Sequence, residues 1–347
     1  MIAPRTIALD AMGGDHGPSV VVHGASISLT RHPALEFVLF GDEQVVSAEL
    51  QNYPELAARS RIVHTPSVIA MDAKPSQALR RGKGSSMWEA IAAVKNEQAH
   101  VAVSAGNTGA LMAMAKLILR PMAAVERPAL AALWPTINSE CIVLDVGANI
   151  GANARQLSDF ALMGAAMARA LFHIEYPTVG LLNVGVEEIK GDEHVIQANA
   201  WLKQTSGLPL HYRGFIEGDQ IGQGTVDVVV VEGFAGNIAL KTAEGTAKQI
   251  GRYLKDAMLR TWLSKLGAAM ARGGFRVLRQ KMDPRRVNGG TFLGLNGIAI
   301  KSHGGTDALG FASAVDLGYE MAQTGLIERL AADLDTFHHH IGQNAAE

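Results

Sequence analysis

Cysteine is almost absent from this chain: Cys141 stands alone among 347 residues. One cysteine excludes an internal disulfide framework and a cysteine-rich zinc site. It opens the apolar run Cys141-Ile142-Val143-Leu144, which predicts a buried, inert thiol. Aromatic residues are also scarce, at 5%, and neither sign of charge prevails, the net being −2. General binding to a polyanion is therefore not expected. No apolar run reaches the about 18 residues that a membrane span needs. Met1 to Asp10 reads as a strand rather than as a signal peptide, so a soluble, cytoplasmic protein is expected.

Several reaction signatures are missing as well. The chain has no G-x-x-x-x-G-K-[ST], no H-E-x-x-H and no G-x-S-x-G, and no G-x-G-x-x-G follows its first strand. These absences argue against a P-loop enzyme, a zinc hydrolase, an α/β-hydrolase and a Rossmann dinucleotide site. No metal-ligand spacing stands out, and no metal or cofactor is expected.

What is present is 48% hydrophobic residues and 37 glycines. That composition suits an α/β fold with a large core and many tight strand-to-helix turns. One stretch concentrates the design, Val101 to Leu119. The β-branched run Val101-Ala102-Val103 predicts a buried strand, and Ala110 to Leu119 predicts a helix. Between them lies Ser104-Ala105-Gly106-Asn107-Thr108-Gly109. Free N–H groups and the helix dipole make such a loop a site for an anion, most often phosphate. The alternative is that Asn107 or Thr108 is only a helix cap.

Other segments repeat or flank this plan. Strands are predicted over Thr6–Leu9, Phe37–Phe40, Arg61–His64, Leu130–Trp134, Ile142–Leu144, Thr178–Val184, Leu210–Phe215, Val226–Val231 and Ile298–Ile300. Ser19 is expected to cap the first helix, before Val20. Met71 to Met87 is basic, with Lys74, Arg80, Arg81 and Lys83 beside Ser and Gly at helix starts. The valine strand Val226–Val231 runs into Glu232-Gly233-Phe234-Ala235-Gly236-Asn237, with a helix expected from Ile238 carrying Lys241. This repeats strand, Gly/Asn loop and helix, and so predicts two loops facing one cleft. His338-His339-His340 reads as a surface helix end, because consecutive residues face different directions.

Arg252 to Arg286 stands apart, with ten Lys or Arg and two acids. Leu254, Met258, Trp262, Leu266 and Met270 recur every four residues and predict one helix face, broken at Gly273-Gly274. A basic amphipathic hairpin over 252–286 reads as a membrane-surface or partner-binding element. Leu254, Met258, Trp262 and Leu266, with Arg260 and Lys265, are its candidate contact residues. A dimer interface, or an arm packed on its own domain, is the other reading.

Seven segments together resemble one family. They are Asp10 to Pro18 (DAMGGDHGP), Lys74 to Met87 (KPSQALRRGKGSSM), Ser104 to Ala113 (SAGNTGALMA), Leu144 to Asn149 (LDVGAN), Val184 to Gly191 (VGVEEIKG), Glu232 to Gly245 (EGFAGNIALKTAEG) and Leu293 to Gly305 (LGLNGIAIKSHGG). In this order they closely resemble the PlsX family, the bacterial phosphate acyltransferases of phospholipid synthesis. Gly305-Thr306 departs from the Ser-Ser expected after His-Gly, though threonine keeps a hydroxyl.

The resemblance implies acyl transfer from acyl-acyl-carrier protein to inorganic phosphate, giving acyl phosphate for phosphatidic acid. It implies a homodimer, loosely membrane-associated, with contact to the downstream glycerol-3-phosphate acyltransferase. It also implies a three-layer α/β/α fold of the isopropylmalate dehydrogenase or phosphotransacetylase kind. In that fold two subdomains share a mostly parallel sheet within a single domain over 1–347.

Under that reading Ser104, Gly106, Asn107 and Thr108 cradle phosphate, and Lys74, Lys83 and Lys241 neutralise its charge. Asn237, Asn296, Lys301 and His303 bind the oxyanion or protonate the leaving thiolate. Ser302-His303-Gly304 resembles the Ser-Arg-Gly segment of phosphotransacetylases, and an imidazole of pKa about 6.5 suits a proton donor. Two other expectations compete: a dehydrogenase of the same fold, and a non-catalytic membrane scaffold for carrier protein.

Overall fold

The computed structural model describes residues 5–344, apart from 124, 282, 284 and 286. The chain begins with β1 (Arg5–Asp10), α1 (Pro18–Arg31), β2 (Leu35–Gly41), α2 (Glu43–Leu50), α3 (Pro54–Ala57) and β3 (Ser60–His64). It continues through α4 (Pro75–Arg81), α5 (Ser86–Lys95), β4 (Val101–Ser104), α6 (Thr108–Ile118), β5 (Ala129–Pro135) and β6 (Glu140–Leu144). Then come α7 (Ala154–Phe172), β7 (Thr178–Leu182), α8 (Glu193–Gln204), β8 (His211–Ile216), α9 (Gly218–Ile221) and β9 (Val228–Val230). The chain closes with α10 (Gly233–Leu259), α11 (Trp262–Met270), α12 (Arg272–Lys281), β10 (Gly290–Leu293), β11 (Ile298–Lys301), α13 (Ala308–Gln323) and α14 (Leu326–Asn344).

The strands form one sheet in the order β3-β2-β1-β4-β11-β10-β5-β6-β9-β7-β8. β3, β2, β1, β4 and β11 are mutually parallel, as are β6, β9, β7 and β8. Three antiparallel pairings, β11–β10, β10–β5 and β5–β6, join the two sets. The two parallel sets therefore run in opposite directions. Apolar side chains cover both faces. One cluster joins α1, α7, α13 and α14 to the sheet, and the other joins α5 and α6 to it. This is the expected three-layer α/β/α arrangement, and burial on both faces is why the strands read as near-continuous apolar runs.

From β1 the chain goes to β2 and β3 on one side, then returns to β4 on the other. The gap between the carboxyl ends of β1 and β4 is thus a topological switch point, where open α/β sheets bind ligands.

Local chemistry departs from the sequence expectations in four places. Gly17, not Ser19, stands before α1, with Pro18 at its first position; the Ser19 hydroxyl donates to the His16 carbonyl at 3.1 Å. α10 starts at Gly233 rather than Ile238, because Glu232 caps it by accepting the Phe234 and Ala235 N–H groups. The basic segment breaks at Thr261, which caps α11 through the Ser264 N–H, while Gly273 and Gly274 lie inside α12. Leu254 and Met258 therefore belong to a different helix from Trp262, Leu266 and Met270, and Arg286 lies outside the described residues. His338 is turned inward, 2.6 Å from the Asp159 carboxylate on α7.

Candidate active site

Three loops meet at the switch point. They follow β1 (residues 11–17), β4 (105–107) and β11 (302–307). The Asp15 N–H donates to the Gly304 carbonyl at 2.9 Å, which ties the first loop to the third. The Ser302 N–H donates to the Ser104 carbonyl at 2.9 Å, which ties the third to the second. Gly13 is needed where it stands: a Cβ there would lie 2.5 Å from Asp10 Oδ2 and 2.8 Å from the Gly106 nitrogen.

The β4–α6 loop spends much of its polarity on itself. The Ser104 hydroxyl donates to Asp10 Oδ2 at 2.6 Å and accepts the Gly106 N–H at 3.0 Å. Asn107 caps α6, its Oδ1 accepting the Ala110 N–H at 2.8 Å. Its Nδ2 donates to the carbonyls of Met71, at 2.6 Å, and Ala73, at 3.2 Å. Ser104, Gly106 and the Asn107 side chain thus each make hydrogen bonds within the protein. The groups left for an anion are the first-turn N–H groups of Thr108 and Gly109, which have no intrahelical acceptor. Thr108 is exposed. The start of α4 lies alongside, since a Cβ on Gly109 would sit 2.8 Å from Pro75 Cγ. Lys74 precedes that proline and is exposed, as is Lys83 beyond α4.

Lys301 ends β11 level with Ser104. Its ammonium donates to the Ala105 carbonyl at 3.3 Å and to the Ser302 carbonyl. Burial lowers its pKa to about 8, helped by the Lys241 charge and opposed by Asp10 and Asp15. His303 follows it. Asn288 holds this segment, accepting the His303 N–H at 3.0 Å and donating to the Ser302 hydroxyl at 2.8 Å. Burial, then the charges of Lys301 and Lys241, push the His303 pKa below the ordinary imidazole value. The Gly305 N–H donates to His303 Nδ1 at 3.2 Å, which assigns the proton of the neutral ring to Nε2. Both effects favour the uncharged form of the ring, whose Nε2 is left free by the Gly305 contact.

Lys241 reaches this place from the other strand set. α10 has 27 residues, about 40 Å of helix, and its Lys241, Glu244 and Lys248 all act on His303. The start of α10 is a different place. Its N-terminus is already filled by the Glu232 carboxylate, and Gly236 packs so closely that a Cβ would lie 1.9 Å from the Asp145 carbonyl. Asn237 lies against Gly147 of that second turn. The two loops that looked alike in sequence end strands of opposite direction, and only the β4 loop leaves a helix N-terminus open. Asn296 is also elsewhere. It precedes β11, about 16 Å along the strand from Lys301, and its amide donates to the carbonyls of Leu119, Arg120 and Pro121 at the end of α6.

Two residues that the sequence reading left out are central here. Asp10 ends β1 and is 1% exposed; its signals were an acid closing a buried strand and its place at the head of the Asp10–Pro18 motif. Asn288, in an irregular stretch before β10, gave none. Among the described residues no group of three or more His, Cys, Asp or Glu side chains could hold a metal ion. No helix among them is long and apolar enough to cross a membrane.

Comparison with known proteins agrees with the fold and names the family. A phosphotransacetylase from Streptococcus pyogenes superposes with a TM-score of 0.61 at 17% identity, covering 92% of this chain and 95% of that one. A phosphate acyltransferase from Xanthobacter autotrophicus is 65% identical over 335 residues, 96% of this chain and 94% of the relative. One from Afipia carboxidovorans is 62% identical over 325 residues, 93% of this chain and 92% of the relative. The family described as fatty acid synthesis protein matches residues 5–329. The chain belongs to this family, that of the PlsX enzymes which its seven motifs resemble.

Proposed function

We propose that the chain is a phosphate acyltransferase that moves a fatty acyl group from acyl-acyl-carrier protein to inorganic phosphate, supplying acyl phosphate for phosphatidic acid. One observation carries this reading: the open N-terminus of α6, Lys301 and His303 converge at the carboxyl ends of β4 and β11. A phosphate oxygen attacks the thioester carbonyl, the carbon–sulfur bond breaks, and the leaving thiolate takes a proton. Phosphate is already anionic at neutral pH, so it needs placement more than activation. The Thr108 and Gly109 N–H groups receive it, with Lys241 and Lys301 supplying positive charge. His303 Nε2–H donates to the developing oxyanion. Lys301, at about 8, matches a thiol of pKa about 8.5 and gives its proton to the thiolate, while the proton that phosphate loses on acylation recharges the amine.

The same reading gives the exposed arm a role. Ile250, Tyr253, Leu254, Trp262, Leu263 and Met270 are apolar or aromatic and open to solvent, among Arg252, Lys255, Arg260 and Lys265. An arm of this chemistry suits an anionic lipid surface, and the acidic carrier protein or a second copy of the chain are its other partners. The enzyme is accordingly a cytoplasmic homodimer loosely held at the membrane.

The deciding experiment mixes the purified chain with acyl-acyl-carrier protein and phosphate, and scores free carrier thiol and acyl phosphate. Formation of both in equal amounts supports acyl transfer. No turnover, with carrier protein still bound, leaves the non-catalytic scaffold instead.

A further inference from the structure

Two carboxyls end buried strands in front of glycine-rich turns, and their surroundings differ. Asp145, after β6, is fully buried. It accepts the N–H groups of Leu130, Gly147, Ala148 and Asn149 and the Asn149 amide, all at 2.8–3.0 Å. Five donors compensate it, and its work is to shape a turn. Asp10, after β1, is as deeply buried; the Ser104 hydroxyl donates to its Oδ2 at 2.6 Å, the Met12 and Gly13 N–H groups of the next turn support it, and burial still holds its pKa above the ordinary carboxylate value. Its Oδ1 meets no donor among the described residues, although the Ser86 hydroxyl, buried and likewise unpaired, lies beside it. Folded proteins rarely leave a buried carboxyl half satisfied, because the loss of hydration is not made good. Where they do, at a switch point, the site is a functional candidate.

The charge nearest in kind is Lys301. The groups acting on its ammonium are Asp10 from β1, Asp15 from the following loop and Lys241 from α10, and His303 stands next to it on its own loop. Lys241 is itself paired with Glu244 at 2.9 Å, whereas Lys301 lies opposite Ser104 in the β4–β11 register and Ser104 bonds Asp10, so Asp10 and Lys301 flank one serine.

We propose that Asp10 is a positioning residue for acyl transfer: it holds the Ser104 hydroxyl inward, which fixes Gly106 and the start of α6, and it pairs electrostatically with the Lys301 ammonium. The inference rests on the acyl-transfer reading given above. Asp10 touches no reacting atom. It acts on phosphate through Ser104 and the loop, and on the leaving thiolate through Lys301.

Asp10→Asn keeps the shape and an acceptor for Ser104 and removes only the charge. Its kcat is expected to fall about tenfold, with the alkaline limb of the pH–rate profile moved about one unit to lower pH. In protein carrying lysine labelled at the ε-carbon, the Lys301 resonance, assigned with Lys301→Met, moves its titration midpoint in the same direction. Ser104→Ala leaves the Asp10 charge but removes the hydrogen bond between them, and raises the KM for phosphate more than it lowers kcat. A merely structural Asp10 lowers the melting temperature and moves neither the pH profile nor the lysine titration; that result overturns the proposal. If Asp10→Asn does not fold, an unchanged phosphate KM in Ser104→Ala overturns it instead. Failure of the wild-type chain to form acyl phosphate counts against the acyl-transfer reading, whereas the lysine titration still decides the Asp10–Lys301 pairing.

Discussion

The Asn107 amide donates to the Met71 carbonyl at 2.6 Å, so the residue that caps α6 also holds residues 71–73 across the site. Asn107→Ala removes both functions. The lost cap lowers stability by about 1 kcal/mol, and the freed segment raises the KM for phosphate more than that for the acyl donor. Asn107→Ser keeps a capping oxygen but has no amide to donate. It should restore the melting temperature and leave the phosphate KM high. Equal KM values for both substrates in wild type and Asn107→Ala would show that the strap has no part in phosphate binding.

Burial and the charges of Lys301 and Lys241 press the His303 pKa below the ordinary imidazole value, and the Gly305 N–H at Nδ1 leaves Nε2 to carry the proton of the neutral ring. His303→Ala is expected to cost about a hundredfold in kcat and to leave the phosphate KM nearly unchanged. His303→Gln, which offers an amide N–H, recovers most of that loss. If glutamine is as poor as alanine, the ring is transferring a proton and the donor role is wrong.

Lys301 links activity and stability to pH with opposite signs. Its folded pKa, about 8, lies below its reference value of 10.5. Turnover therefore falls as pH rises through about 8, when the ammonium loses its proton. Between about 8 and 10.5 the unfolded chain holds that proton and the folded chain does not, so the Lys301 contribution makes stability rise with pH. Lys301→Met should abolish turnover and flatten that slope. A pH series of denaturant midpoints beside the rate profile checks both, and a slope unchanged in Lys301→Met would exclude the titration of this lysine as its source.

The arm offers a separable test. Replacing Leu254, Met258 and Trp262 by polar residues should release the chain from vesicles of anionic lipid. The melting temperature and the turnover of soluble substrate should hold, because these side chains are outside the buried core. Vesicle binding that survives the triple change assigns the arm to a protein partner.

Much of the fold was legible because burial on both sheet faces writes itself as β-branched runs. Each of the ten strands expected from sequence is present. Cys141 is the buried thiol its neighbours implied, its pKa pushed up to about 12 by burial. β10 was missed because Gly289-Gly290 masks a short antiparallel strand that no periodicity announces. Strand direction was not legible at all, and it separates the two look-alike loops. Glycine misled once more at α10, where Gly233 and Gly236 permit close approach to the 145–149 turn rather than breaking the helix. Of the residues that one motif offered, the structure places Lys301 and His303 at the switch point and Asn296 at the other end of β11, against the end of α6. Asp10 and Asn288 hydrogen-bond to Ser104 and to the 302–303 segment, and contacts of that kind leave little trace in one sequence.

The place of β11 has a consequence for how the protein is made. It is the last strand to be synthesised, yet it is inserted between β4 and β10 near the middle of the sheet. Until residue 301 has left the ribosome, β4 presents an open edge of Val101, Ala102 and Val103. Unpaired apolar edges of this kind are where chains stick to one another. The nascent polypeptide must therefore keep its first strands apart from its neighbours for most of its synthesis, and a chain stalled before β11 lacks both the seal and Lys301.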